Sequence, residues 1–147
     1  MELLTELDLD LGDLRLRTLS TEDAALLVEA TRAARLVGAL GLMVDGPHSA
    51  ELAYWVRPEQ RRRGIALRGV EALTAWAHTT AGLARVWLEI NPDNTPSLQL
   101  AQRAGYRLEQ RLPRHCRDWT KDDPDQDTWH DCIIWGPHPL TDFVLRG

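Results

Sequence analysis

The chain has 147 residues, of which 44% are hydrophobic, and its formal net charge at pH 7 is −5. This size and composition suit one folded core, so we expect a single domain over residues 1–147 with a C-terminal tail at 137–147. The acidic balance argues against a nucleic-acid partner. Neither a membrane-length apolar run nor a secretory signal is present in the sequence, so we expect a cytoplasmic protein without a membrane partner.

In the first part of the chain, hydrophobic periodicity predicts strands at both ends of a helix. Residues 14–19 begin with the alternation of a half-buried strand. Residues 20–23 (Ser-Thr-Glu-Asp) resemble a capping box, so we predict a helix from Ala24 to about Ala34. Two further strands are predicted at 36–44 and 51–56, joined by a short turn and therefore antiparallel.

The second part of the chain repeats an order of strand, helix, strand. Apolar residues at helical spacing predict a helix over 64–79, and strict alternation predicts a strand over 85–91. Because the strand at 51–56 precedes that helix, parallel pairing across a right-handed crossover is favoured. We further predict a helix from Thr95, as cap, to about 104; strands at 106–111 and 129–135; and a loop at 112–127.

The segment between the strand at 51–56 and the helix at 64–79 has a composition that suits a phosphate. Three arginines, Arg61, Arg62 and Arg63, precede Gly64, Ile65 and Ala66. Unpaired N–H groups at a helix start cradle phosphate or pyrophosphate, and arginines beside them add charge-assisted bonds. The same residues would also suit a solvated basic turn with a glycine that merely starts the helix. The loop alone therefore leaves both the phosphate site and the solvated turn open.

Two motifs in this sequence resemble the GNAT N-acetyltransferase superfamily, and most closely the ribosomal-protein N-terminal acetyltransferases. The first is V-x-P-E-x-R-x-x-G-x-A, from Val56 to Ala66, which is similar to the family's pyrophosphate loop. Arg62 occupies a place that is frequently glycine there. The second is the segment LEINPDNTPSLQLAQRAGYRLE, which matches the family at Asn94, Ser97, Gly105 and Tyr106.

The resemblance implies the GNAT fold, an α/β (α+β) architecture. Its mixed central sheet is splayed between two parallel strands, here 51–56 and 85–91, and helices cover both faces. It also implies acetyl-CoA as cofactor. Pantetheine would bind the main chain near Trp55 and Val56, and the remaining cofactor-binding residues would be those of the loop and Asn94.

Acetyl transfer to an amine needs a group that removes the ammonium proton, and a carboxylate suits this role. Glu89 is our candidate base because it lies on a central strand and because some family members carry their base at the matching position. Glu51 on the neighbouring strand is the second candidate, and an ion-paired structural role for Glu89 stays open. A main-chain N–H near Val56 would hold the oxyanion if a bulge frees it.

The leaving thiolate has no obvious general acid in this chain. Many family members place a tyrosine seven residues after the motif asparagine, but here that position is Ala101. Ser97 is the remaining catalytic candidate, although a serine in a first helical turn is more often a capping residue. Asn94 is expected to bind cofactor rather than to react.

The cysteines and histidines late in the chain do not predict a metal site. The spacing of His115, Cys116, His130 and Cys132 differs from that of common zinc sites. We expect no metal, a core position for Cys132, and two free thiols, although one disulfide is formally possible. We also expect most of the six tryptophans to lie in the core or in a pocket wall.

Other functions remain open at this stage. A coenzyme A-binding module without turnover is compatible with Ala101, and a nucleic-acid protein using the three arginines is disfavoured by the net charge. The amine acceptor could be a protein N-terminus, an amino sugar, a polyamine or a small metabolite, and acidic residues at 122–127 could attract a cationic acceptor. A homodimer is possible. Family members usually carry a further helix and strand before the strand at 36–44, so this sequence indicates either an unusually open acceptor cleft or a missing segment between the first helix and Leu36.

Overall fold

The computed structural model describes residues 8–18, 25–30, 35–118 and 128–136, and these residues form a mixed α/β fold. The helices are α1 (Ile65–Thr79) and α2 (Thr95–Arg103), and a short 3₁₀ turn covers Pro58–Gln60. The strands are β1 (Asp8–Asp10), β2 (Leu14–Thr18), β3 (Ala25–Ala30), β4 (Arg35–Gly46), β5 (Ser49–Val56), β6 (Arg85–Ile90), β7 (Arg107–Asp118) and β8 (Thr128–Gly136).

The chain divides into two compact units, and the boundary falls inside β6, between Val86 and Trp87. In the first unit, β1 to β5 are neighbours in chain order and every pairing is antiparallel. In the second unit, β8 lies between β6 and β7 and is antiparallel to both. The expectation of one domain, and that of parallel pairing between β5 and β6, stay predictions.

The N-terminal part of the fold differs from the sequence prediction. The predicted helix from Ala24 to about Ala34 is wrong, because residues 25–30 form β3 between β2 and β4. Its alanines and leucines favour a helix, but pairing on both sides outweighs that weak local preference. The strand β1 was not predicted; its three residues pair with β2 around a turn in which Gly12 has a φ of 88°.

Helix α1 packs on β4 and β5 and so fixes the loop that precedes it. Its buried face consists of Ile65, Gly69, Val70, Leu73 and Ala77, as the helical periodicity predicts. The contact with β4 is close, because a Cβ atom on Gly69 would lie 2.9 Å from Leu40 Cδ1. A larger side chain at Gly69 would therefore require the Leu40 side chain or the helix to shift.

The second unit consists of β6, α2 and the β7–β8 hairpin. Along β6 the alternation is as predicted: Val86, Leu88 and Ile90 are buried, whereas Trp87 and Glu89 are half-buried. The predicted loop at 112–127 is wrong over 112–118, because β7 continues to Asp118. The turn-forming residues at the centre of the predicted loop, 121–125, lie outside the described residues. Pro113 falls within a bulge of β7, a place in a strand that tolerates proline.

Other expectations fall partly outside the described residues. The acidic residues at 122–127, Trp119 and the tail lie there. None of the five tryptophans in the described ranges is fully buried, and Trp55 and Trp129 are 49% and 56% exposed, so core placement is wrong for these two. Neither described helix has the length and hydropathy that a membrane-spanning helix needs.

Candidate functional site

The loop between β5 and α1 is shaped by local backbone bonds. After β5 ends at Val56, the 3₁₀ turn forms, with the Gln60 N–H donating to Arg57 O at 2.9 Å. Arg61 N–H donates to Pro58 O at 3.3 Å, and the Arg61 side chain returns to the strand end, with Nε donating to Val56 O at 3.3 Å. These bonds hold the loop against the end of β5.

Two residues of this loop adopt left-handed backbone conformations: Arg62 has a φ of 64° and Gly64 a φ of 73°. Left-handed conformations suit glycine, because a Cβ atom crowds the following carbonyl. Open space surrounds the position that a Cβ on Gly64 would take. Arg62 thus occupies a left-handed position, at the place that is frequently glycine in the GNAT superfamily. An arginine disfavours this backbone conformation.

Among the residues that the structure describes, no side chain caps the N-terminus of α1. Gly64 is the N-cap residue and has no side chain to accept a bond from the first turn, and no acidic residue lies in that turn. The N-terminal N–H groups of a helix lack intrahelical partners and carry about half a positive charge. With Arg61, Arg62 and Arg63 exposed beside it, this end of α1 can hold a phosphate or pyrophosphate.

One arginine near the loop is already engaged. Arg68 Nη2 lies 2.7 Å from Leu11 O and 2.7 Å from Asp13 Oδ1, so it fastens α1 to the turn between β1 and β2. These bonds are structural. Arg61 also has one structural bond, from Nε to Val56 O, and together with the exposed Arg62 and Arg63 it remains a candidate phosphate ligand.

The main chain of Val56 is directed away from β4. Arg57 N–H donates to Val37 O at 2.9 Å, next to the pair of Val56 with Gly38. In an antiparallel ladder this makes Val56 and Gly38 a non-hydrogen-bonded pair, whose N–H and C=O groups point outward. The β4–β5 register shifts only between Val44 and Gly46 among its described pairs, so no bulge is needed to release the Val56 N–H. By the same alternation, the main-chain N–H and C=O groups of Trp55 point toward β4.

Glu89 lies on β6 opposite Ile134 of β8, and its side chain is half-buried. Its Oε1 atom contacts Cys116 Sγ, which β7 brings from the far side of β8. Glu51, the second candidate base, is half-buried on β5 opposite Met43. The sequence offered no sign of the Cys116 contact, since it depends on the register of three strands.

Asn94 and Ser97 meet at the start of α2. Asn94 is the N-cap residue, and its Oδ1 accepts the Ser97 N–H at 3.3 Å. The prediction of Thr95 as cap is therefore wrong by one residue, because the turn of residues 91–94 already ends in a side chain that can accept this bond. The amide Nδ2 of Asn94 can donate to a cofactor while Oδ1 accepts the Ser97 N–H.

Ala101 is fully buried on α2, and its carbonyl accepts the N–H of Tyr106 at 2.9 Å. Tyr106 is itself only 4% exposed. The position at which many family members carry tyrosine is thus closed by core packing in this chain. No general acid from this position can reach a leaving thiolate.

The late cysteines are brought together by the β7–β8 hairpin. Cys116 and Cys132 are joined as a disulfide with a Cα–Cα distance of 5.8 Å, so the expectation of two free thiols is wrong for this structure. Cys132 is fully buried, as predicted. The His130 ring lies nearby: its ligand atom and the two sulfur atoms are within 4.8 Å of one another. Spacing along the chain could not reveal this group, because cross-strand register creates it.

A bulge in β7 sets that register. Leu112 pairs with Cys132 and Cys116 pairs with His130, so β7 carries two more residues than β8 between these pairs. Inside the bulge Arg114 has a φ of 47°, and its N–H donates to Asp131 Oδ1 at 3.0 Å. Arg111 Nε donates to Asp131 Oδ2 at 2.8 Å. The Arg114 N–H and then the Arg111 guanidinium lower the pKa of Asp131.

The candidate residues thus fall into two groups. The first unit holds Trp55, Val56 and the loop of Arg61, Arg62, Arg63, Gly64, Ile65 and Ala66. The second holds Glu89, Asn94 and Ser97. Each group is assembled by its own strands and its own helix.

Comparison with known proteins defines the class. Residues 15–107 match the acetyltransferase (GNAT) domain family. The match includes β2 from Arg15 onward, β3 to β6, both helices and the boundary between the two units. The chain belongs to the GNAT acetyltransferase family, and its enzyme class is that of an N-acetyltransferase.

Solved structures have the same fold at low sequence identity. A GNAT-family acetyltransferase from Bacillus anthracis matches with a TM-score of 0.69 at 20% identity, over 80% of this chain and 67% of that one. A spermidine N-acetyltransferase chimera from Vibrio cholerae and hSSAT gives 0.70 at 16%, over 90% and 69%. The ribosomal-protein-S5-alanine acetyltransferase from Vibrio fischeri gives 0.67 at 18%, over 76% and 59%. No curated protein sequence matches significantly. The predicted α/β class and GNAT fold are confirmed.

Proposed function

We propose that this protein transfers an acetyl group from acetyl-CoA to a primary amine, by direct attack of the amine. The acceptor is a protein N-terminus or a small-molecule amine. The observation that carries the proposal is the N-terminus of α1, which has no side-chain cap, follows a left-handed glycine and stands beside three exposed arginines. Such a helix end suits the pyrophosphate of coenzyme A.

The residues of the loop fit a pyrophosphate in shape as well as in charge. Gly64 has no Cβ, so the main chain can approach an oxygen atom closely. The helix dipole and the N–H groups of the first turn act at short range, and the exposed arginines add charge-assisted bonds. Val56, whose N–H points away from β4, offers a main-chain bond to the pantetheine chain or to a developing oxyanion.

Bound acetyl-CoA would supply a thioester whose acetyl group passes to the amine as the carbon–sulfur bond breaks. In this proposal Glu89 accepts the proton that the ammonium group loses, directly or through a water molecule. The Val56 N–H stabilises the negative charge on the carbonyl oxygen. Because Ala101 is buried where many relatives have tyrosine, the departing thiolate takes its proton from water or from Ser97.

The buried Ala101 also favours a second function, a coenzyme A-binding module without turnover. The two functions share the loop but differ in thiol release. The test therefore measures coenzyme A binding by calorimetry and thiol release from acetyl-CoA with separate N-terminal peptides, polyamines and amino sugars. Binding with release for one amine class supports the enzyme. Binding without release for all of them supports the module, and absence of binding contradicts both.

The role of Glu89 is tested by Glu89→Gln, with Glu51→Gln on β5 as its control. A general base contributes about 10²- to 10⁴-fold to a rate. We expect Glu89→Gln to lower kcat by at least about 100-fold at unchanged coenzyme A affinity. Glu51→Gln should stay within about threefold of the parent, and the reverse order would transfer the role to Glu51.

A further inference from the structure

The Glu89 carboxylate has a sulfur partner that no step of the proposed reaction uses. Its Oε1 contacts Sγ of Cys116, and both side chains are half-buried. In the order β6, β8, β7 these residues come from the two outer strands. The contact therefore reaches across the central strand.

The bulge in β7 makes this reach possible. Without its two additional residues, the pairing of Leu112 with Cys132 would continue so that Cys116 lay opposite Thr128. With them, Cys116 lies opposite His130. This position is two residues further along β8 toward Ile134, the partner of Glu89, and it places Cys116 beside Cys132. Asp131 holds the bulge by accepting bonds from Arg114 N–H and Arg111 Nε. The position of Cys116 therefore depends on the β7 bulge and on the hydrogen bonds that Asp131 accepts there.

The two possible states of Cys116 differ in what they offer Glu89. A thiol has a proton and can donate it to a carboxylate oxygen, whereas a disulfide sulfur has none. The Cα atoms of Cys116 and Cys132 are 5.8 Å apart, which lies within the range that a disulfide requires. The structure has the disulfide, so its contact of Cys116 Sγ with Glu89 Oε1 involves a sulfur without a proton. Reduction on the same backbone would give Cys116 a proton to donate to Glu89.

We propose that Cys116 is a positioning residue for Glu89, and that oxidation of Cys116 with Cys132 removes its hydrogen bond and lowers the acetyl-transfer rate. The inference rests on the proposed function, in which Glu89 is the base. In the reduced protein the Cys116 thiol holds the carboxylate in one orientation. In the oxidised protein that restraint is lost, because the sulfur is bonded to Cys132.

The oxidant that we invoke is a peroxide. One of the two thiols reacts with hydrogen peroxide to give a sulfenic acid and one water molecule. The other thiol then attacks that sulfur, which forms the S–S bond and releases a second water molecule. Two thiols and one peroxide thus give one disulfide and two waters, and a dithiol reductant reverses the change.

His130 adds a rival use of the same atoms, because two thiolates and an imidazole are zinc ligands. In that case the reduced protein would retain zinc, and the sulfurs would bind the metal instead of Glu89. Metal analysis of the reduced, undialysed protein and titration with zinc therefore belong to the test. Stoichiometric zinc would overturn the positioning role.

The kinetic experiment compares kcat and the KM for acetyl-CoA before and after peroxide, in the parent and in three variants. A hydrogen bond to a charged group is worth about 10- to 100-fold in a rate that depends on it. We expect oxidation of the parent to lower kcat at least about tenfold at unchanged KM, with recovery in dithiothreitol. Cys116→Ala should show the same loss without peroxide.

Two variants separate positioning from folding. Cys132→Ala keeps the Cys116 thiol but cannot form the disulfide, so without peroxide it should retain the kcat of the reduced parent. Cys116→Ser offers a hydroxyl donor to the same oxygen, so it should restore kcat to within about threefold of the reduced parent and keep that kcat after peroxide. Circular dichroism checks that each variant folds. An oxidised parent with undiminished kcat, or Cys116→Ala with parental kcat, would overturn the proposal.

A readout independent of turnover separates this inference from the proposed function. In Cys132→Ala, Cys116 is the remaining thiol, and a neighbouring carboxylate disfavours its reactive thiolate. Adding Glu89→Gln should therefore raise its alkylation rate by iodoacetamide about threefold or more at pH 7.5. An unchanged rate contradicts the contact. A raised rate with no acetyl transfer by the reduced parent contradicts the proposed function instead.

Discussion

The two helices of this protein begin in opposite ways. At α2, the Asn94 side chain accepts a bond from the first turn, so the chain caps its own helix. At α1, the cap is a left-handed glycine without a side-chain bond, and arginines surround it. A helix that leaves its N–H groups without a side-chain cap, beside a cluster of cations, is suited to an anionic ligand. The difference supports our proposal that the phosphate site lies at α1.

The largest expected effect comes from Gly64→Ala at the start of α1. The new Cβ would occupy space that a phosphate needs, and loss of one bond to a charged group lowers affinity about 10- to 100-fold. Gly82→Ala is a matched control, since Gly82 also has a left-handed φ, of 70°, and open space around it. Both should lose about 1–2 kcal/mol of unfolding free energy, but coenzyme A affinity by calorimetry should fall only in Gly64→Ala.

A smaller effect is expected at the other helix start. Asn94→Ala should lower the free energy of unfolding by about 1 kcal/mol, because the cap of α2 is lost, and Asn94→Asp should preserve stability. Urea unfolding measures both. If Asn94→Asp keeps the fold but loses coenzyme A affinity more than about tenfold, α2 also contacts the ligand and the contrast between the helices weakens.

Replacing Arg62 by glycine should stabilise the protein and so test the left-handed backbone conformation of the loop. Arg62→Gly relieves a left-handed conformation that an arginine disfavours, so it should raise the free energy of unfolding by up to about 1 kcal/mol. Arg63→Gly removes the same charge at a residue without a positive φ and should lower stability by about 0.5–1 kcal/mol. Thermal unfolding of the pair tests this, and equal shifts would contradict the loop geometry.

The smallest effect is expected in the bulge of β7, where the Asp131 carboxylate accepts a hydrogen bond from the Arg114 N–H. Because this bond and Arg111 lower the pKa of Asp131, the stabilisation is present above the ordinary carboxyl pKa and is lost as pH falls through the lowered value. The advantage in Tm of the parent over Asp131→Asn should therefore be constant from pH 7 to 5 and narrow below about pH 4. A constant difference down to pH 2.5 would show that the charge is irrelevant.

Features that depend on neighbouring residues could be predicted from the sequence, whereas features that depend on strand pairing could not. The period of α1, the alternation of β6 and the loop before Gly64 were predictable, because each depends on neighbouring residues. Residues 25–30 were mistaken for helix, because pairing with β2 and β4 decides their state. The contact of Glu89 with Cys116 could not be predicted, since it depends on a bulge two strands away.

The most direct test of the central claim follows backbone amide signals of ¹⁵N-labelled protein during titration with coenzyme A. We predict that the largest shifts occur at residues 61–67, around the N-terminus of α1, and that the amides of residues 97 and 98 at the start of α2 change little. Shifts concentrated at the start of α2, or saturable binding that leaves residues 61–67 unchanged, would contradict the account.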